Sequence, residues 1–424
     1  MENIFIDVID KEYEFLCQLY WQVEGNGRFS YSMIKIEEKT QLKSKEIKTI
    51  VAKSCKAYSL KLKCVSCGEI ECLRDRSHFS HLNGLEHVCI DCIRIENEKE
   101  RQEKIEYIND LLFCKKENAL SINDLSFENS VFLLSLIRYC ADENLMYLDS
   151  LNNLKHEKLT PSYNFDLLII EQLYASGVIA ISTVTNLKYL SVSGDYVYFN
   201  DEFMCWEVIV KETDNLSSII DLLERKLSDL YYLQENKKSL IELCKKNNLF
   251  ECFFYLNHEM NEYNFTSFQI GEKTTKNITC LLENLSVGQV FYIISKTVTD
   301  AFVYHQKKST KINKGQAANS VVDAMKRMYE RYIANGWSVY SKYRPRHCPQ
   351  SVLCQVLFVF ILQTDDGAIH KSLKQIITDD DKGFSLIIKT DFMSFYNGLV
   401  IYFPASGAFF VQKNVPVPLN SIFS

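Results

Sequence analysis

The chain has 424 residues, which is too many for one hydrophobic core of ordinary size and predicts roughly two to four domains. Hydrophobic residues at 47% and charged residues at 24% lie close to globular averages, which excludes disordered and fibrous classes. The net charge of −6 excludes a protein coated throughout with positive charge, yet that charge is unevenly spread. Residues 33–82 carry eleven Lys or Arg against six Asp or Glu, and residues 305–346 carry ten against two. Islands of +5 and +8 therefore sit in a remainder of −19. Two such islands are the pattern of surfaces that meet an anionic partner, and solvated helix faces are the competing reading.

Helical periodicity opens the chain, with segments predicted over 13–23 and 31–39 and a third running from Ser44 to Ala57. Ser44 is placed to cap that third helix, and Glu46 suits the positive end of its dipole. Its polar face presents Lys45, Lys48, Lys53 and Lys56. Two short helices, a tight turn and a basic second helix resemble a helix-turn-helix, which implies contact with a DNA groove.

Two Cys-x-x-Cys pairs come next, Cys64 with Cys67 and Cys89 with Cys92, separated by 21 residues. Each pair folds into a knuckle that converges two thiolates, and two knuckles supply the four ligands of a tetrahedral Zn2+. Gly68 relieves the turn after the first pair. Cys72, His78, His81 and His87 lie between the pairs, so one of them could replace a thiolate or orient one. Arg74 and Arg76 belong to the first basic island and are candidate nucleic-acid contacts. A long polar helix follows over 90–114, with Ile105, Ile108 and Leu112 on one stripe.

A knuckle, a hairpin over 69–79 and a helix that starts at the second pair resemble the treble-clef or zinc-ribbon type of zinc finger, over about residues 61–112. The resemblance implies a structural zinc and a fold that serves DNA binding, protein binding or, in HNH nucleases, catalysis. Asp75 and His78 fit the hairpin half of the nuclease pattern, but the 93–97 segment offers no helical His.

Helices over 125–139 and 164–175, a short strand after Gly177 and a hairpin over 189–199 follow the order of a winged helix. Its second helix carries Asp166 and Glu171 and no cation, which favours a protein-facing or purely structural role. Helices are then predicted over 216–235, 237–247, 274–283, 287–305 and 317–335, with 287–305 as the most buried. The second basic island contains Lys326, Arg327, Arg331, Lys342, Arg344 and Arg346 among Tyr329, Tyr332, Trp337, Tyr340 and Tyr343. That mixture suits phosphate neutralisation and base stacking. One or two hairpins are predicted near the C-terminus, around Asn397-Gly398.

Other chemistry is not visible. GEKTTK at Gly271 lacks the Gly-Lys-Thr core of a phosphate loop, and Asp195 and Glu207 lack the Glu-x-Lys of a restriction-type core. His347, Cys348 and Cys354 read as a satisfied histidine and buried thiols. The other dispersed cysteines read as reduced core residues. The apolar run 351–363 is too short to span a bilayer, and no basic-then-apolar leader is present, so a cytoplasmic protein without a membrane partner is expected.

These signals predict a mainly α, multidomain (α+β) chain divided at 1–60, 61–115, 116–212, 213–375 and 376–424. The expected function is recognition or regulation through nucleic acid, DNA more than RNA, in a phage-defence or mobile-element setting. Its middle and C-terminal domains would recruit protein partners. The alternatives are a zinc-stabilised scaffold of a multiprotein complex and, third, an HNH-like nuclease.

Overall fold

The computed structural model describes residues 4–25, 27–82, 86–153, 158–193, 196–265, 268–307, 312–364 and 367–378. The chain is mainly helical and forms two compact units, which divide between Glu103 and Lys104.

Unit 1 places strand β1 (Ile4–Val8) ahead of helices α1 (Glu14–Trp21), α2 (Met33–Thr40) and α3 (Ser44–Ser54). Strands β2 (Cys55–Lys63) and β3 (Ile70–Leu73), helix α4 (Arg76–Leu82) and the start of α5 (Ile90–Glu117) follow. The strands form one antiparallel sheet in the order β1-β2-β3, with Ile4 opposite Ser59 and Ala57 opposite Leu73. Leu16, Tyr20, Trp21, Ile36, Ile47 and Val51 from the helices bury against Ala57, Leu73 and Phe79.

Three expectations change here. The third helix ends at Ser54 instead of Ala57, because Cys55, Ala57 and Ser59 are buried alternately with outward Lys56, the period of a strand. Ser44 is the first helical residue, not the cap, and Glu46 instead accepts the Lys43 amide at 2.9 Å. The hairpin expected over 69–79 is also absent. Only 70–73 is a strand, paired back on β2, and residues 76–82 are helical. The tight turn before α3 does occur, through Gln41 in a left-handed conformation at φ 56°.

Unit 2 is built around α6 (Phe127–Cys140), which is buried on nearly every side. Around it lie α7 (Tyr163–Ala175), α8 (Leu216–Ser228), α9 (Leu230–Glu235) and α10 (Lys237–Glu262). Helices α11 (Glu272–Leu282), α12 (Val287–Lys307), α13 (Lys314–Ala334), α14 (Val352–Cys354) and α15 (Leu373–Thr378) complete the unit. After α14 the chain continues in wider turns over Gln355–Ile361, where the Leu362 amide reaches the Leu357 carbonyl. The apolar run 351–363 is thus core. No helix among the described residues is long and apolar enough to cross a membrane.

One continuous core runs from Tyr107 to Ile377. Helix α12 buries one face only and leaves Val303 and Tyr304 exposed, so α6 is the most enclosed helix. Helix α10 runs fifteen residues beyond its expected end at 247, because Phe250, Phe253, Leu256 and Met260 keep the inward spacing and no Pro or Gly intervenes.

The winged-helix sheet does not form. Strand β4 (Ile179–Ile181) pairs with β7 (Trp206–Val208), whereas β5 (Leu190–Ser193) and β6 (Tyr196–Phe199) make a separate two-stranded hairpin. A winged helix would join that hairpin to the short strand after the second helix. Here β7 takes that place by burying Trp206 beneath Tyr174 and Phe199. The turn at Gly194-Asp195 and the predicted C-terminal hairpins lie outside the described residues.

Candidate metal centre

All four paired cysteines meet. The Sγ atoms of Cys64, Cys67, Cys89 and Cys92 lie within 4.8 Å of one another, the only such His, Cys, Asp or Glu cluster among the described residues. Cys67 and Cys89 stand 3.8 Å apart. Zinc–thiolate bonds of about 2.3 Å at tetrahedral angles put neighbouring sulfurs about 3.8 Å apart, whereas a disulfide requires about 2.05 Å. The arrangement is a ligand shell that could hold a metal ion such as zinc.

Backbone geometry produces this convergence. Cys64 follows the last residue of β2, and its amide donates to the Glu69 carbonyl at 2.9 Å while the Gly68 amide returns to the Cys64 carbonyl at 2.9 Å. Gly68 closes that turn at φ 76°, which a side chain would strain. The second pair is set by the start of α5, with Cys89 just before it and Cys92 in its first turn. The Val65 amide bonds the His87 carbonyl at 2.9 Å, fastening one knuckle to the other.

The electrostatics suit a cation. Amides of Cys89, Cys67 and Ser66 pull the Cys64 thiol down to about 5, and the Cys89 amide sits 3.3 Å from its sulfur. Cys92 is pushed up by hydrogen bonds with Cys89 and Cys67. One thiolate is thus stabilised by the backbone, and Cys92 resists ionising beside it.

The residues between the pairs do not enter the sulfur cluster. Cys72 is exposed on β3 opposite Tyr58, and His81 is exposed on α4. His78 and His87 flank Glu71 instead, His78 Nε2 lying 3.7 Å from one carboxylate oxygen and His87 Nε2 against the other. Asp75 accepts the His78 amide at 2.8 Å as the cap of α4. The nuclease pattern thus loses its hairpin, and its two candidate residues serve a short helix.

The expected nucleic-acid contacts separate into two groups. Lys45, Lys48 and Lys53 are exposed on α3, Lys56 is exposed on β2 and Arg74 is exposed after β3. In unit 2, Arg327, Arg331 and Arg346 are exposed, as is Lys326, which lies 3.9 Å from Glu330. Two arginines are engaged within the fold. Arg76 donates to the carbonyls of Tyr20, Tyr31 and Leu19 between the Tyr20 and Phe29 rings, and burial lowers its pKa. Arg344 bonds the buried Glu251 at 2.9 Å. Both guanidiniums are enclosed because each meets acceptors far away in sequence.

The C-terminal cysteines follow their structural reading. Cys348 and Cys354 are buried, and burial pushes the Cys348 thiol up to about 12. His347 stacks on His258 with ring centroids 3.5 Å apart.

Comparison with protein families, with curated proteins and with solved structures returns no match to this chain.

Proposed function

We propose that this protein binds nucleic acid through its first unit, with a structural zinc held by Cys64, Cys67, Cys89 and Cys92. The observation that carries the zinc assignment is the four-sulfur cluster with its 3.8 Å edge. Zinc bound there supplies a cross-link without redox chemistry. Held by these four thiolates, it would join the turn after β2 to the start of α5. Two features support nucleic acid as the partner: Lys45, Lys48 and Lys53 stay exposed on α3, with Lys56 exposed on the adjoining strand. Exposed lysines neutralise phosphates and release counterions, and duplex DNA is the first target to test.

The test is duplex binding by the full chain, followed by fluorescence anisotropy across a salt series. Binding that weakens steeply with salt, and weakens further in the double variant Lys48→Glu plus Lys53→Glu, is the expected result. Undetectable binding at low salt overturns the reading.

A scaffold role has its own supporting observation. Val65, Ile90, Ile93 and Ile95 are exposed around the knuckles, and apolar side chains in that position suit a protein partner. Retention of duplex binding in a Val65→Ser plus Ile90→Ser variant separates this surface from the lysines.

A further inference from the structure

Residues 337–345 of unit 2 form neither helix nor strand, yet this segment is firmly fastened. Val339 is buried, and its carbonyl accepts from Gln289 Nε2 at 3.1 Å. The Lys342 amide bonds the Gly288 carbonyl at 2.9 Å, and its ammonium reaches Tyr255 Oη at 2.6 Å and Ser295 Oγ at 3.0 Å. Arg344 is held by Glu251. The strap lies so close to α12 that a Cβ on Gly288 would meet the Lys342 carbonyl oxygen at 2.6 Å.

This fastening turns every third side chain outward. Trp337 is 57% exposed, Tyr340 72% and Tyr343 77%, and Arg346 continues the period, also exposed. Each ring also leans on a neighbour, Trp337 on Tyr332, Tyr340 on Tyr292 and Tyr343 on His370, which holds it in place with most of its surface open.

We propose that this strap is a single-stranded nucleic-acid site, in which Trp337, Tyr340 and Tyr343 stack on bases and Arg346 and Arg331 meet phosphates. Charge selects the partner. The carboxylates against the strap are matched by its own cations, Glu251 by Arg344 and Glu259 by Lys342 at 3.6 Å, and Glu330 lies 3.9 Å from Lys326, while Arg331 and Arg346 are exposed. The rings select the strand. In a duplex both faces of each base are covered by stacked neighbours, whereas an unpaired base can be splayed onto a ring. Because the strap is already fastened, ordering it adds little to the cost of binding.

The site is distinct from the lysines of α3, and its test is arranged to fail separately. The full chain is titrated with labelled oligothymidine and oligouridine, and both anisotropy and tryptophan emission are followed. Of the three tryptophans, Trp21 and Trp206 are buried, so quenching reports Trp337. The expected result is quenching on binding, with at least roughly tenfold weaker affinity in the triple variant Trp337→Ala, Tyr340→Ala, Tyr343→Ala. The matching triple Phe variant keeps most of the affinity, which separates stacking from loss of fold. Lys48→Glu plus Lys53→Glu leaves single-strand binding intact. A preference between the two oligonucleotides assigns DNA or RNA within the same chemistry. No single-strand binding at low salt, an unquenched Trp337 in the complex, or a triple Ala variant that binds like the parent overturns the proposal. Loss of duplex binding alone overturns only the assignment to α3.

Discussion

Arg76 caps the end of α1 by donating to the carbonyl of Tyr20 at 2.6 Å while lying 4.6 Å from the centre of the Tyr20 ring. Its other nitrogens reach Leu19 and Tyr31, so one guanidinium ties α4 to α1 and to the chain entering α2. Helix-end carbonyls lack intrahelical donors, and a planar fork satisfies several at once. Arg76→Ala is therefore expected to destabilise unit 1 by roughly 3 kcal/mol, and Arg76→Lys to recover only part of that loss. Denaturant unfolding followed by Trp21 emission measures both. Equal stability of all three proteins would contradict this role.

Glu251 and Arg344 make a second enclosed contact, with side chains 4% and 16% exposed. Breaking such a pair strands a buried charge, whereas replacing both partners by apolar groups does not. Arg344→Ala is expected to cost about 3 to 5 kcal/mol, and Glu251→Leu with Arg344→Met substantially less. Urea midpoints of the three chains decide it, and an additive double variant sinks the argument.

Stability should also depend on pH through Asp166. Burial raises its pKa to about 7, partly offset by donation from the Thr160 amide at 2.8 Å. Asp201 is pushed to about 6 by burial and by Glu171. Unfolded carboxyls ionise near 3.9, so between about pH 4 and 7 the folded state holds more protons. Stability thus falls as pH rises through that window and levels off above it. Asp166→Asn is expected to flatten the slope. A parent chain that gains stability over the same window would contradict the assignment.

The four-cysteine site was legible because its signal is local: each pair fixes two ligands within four residues, and the pairs needed only to be brought together. Long helices were legible for the same reason, from their period. Strand β1 escaped notice because IFIDV is short and its partner lies some fifty residues away, with Ile4 opposite Ser59. Ala57 was misread because it stands at helical spacing from Ile50, while burial follows the two-residue alternation of Cys55, Ala57 and Ser59. The pairing of β4 with β7 depends on Trp206, a contact that no local pattern specifies. Arg76 and Arg344 looked like surface cations because a sequence shows their charge but not the distant carbonyls and carboxylate that enclose them.

Metal content of the purified full chain, measured together with its reactive thiols, tests the four-cysteine zinc site. One zinc per chain is expected, bound by Cys64, Cys67, Cys89 and Cys92. That zinc should be lost in Cys64→Ser plus Cys89→Ser and released when a mercurial blocks the thiols. Chelation should also lower the unfolding midpoint of unit 1. A chain that carries no zinc after purification and reconstitution, or that holds the same zinc after both substitutions, would contradict it.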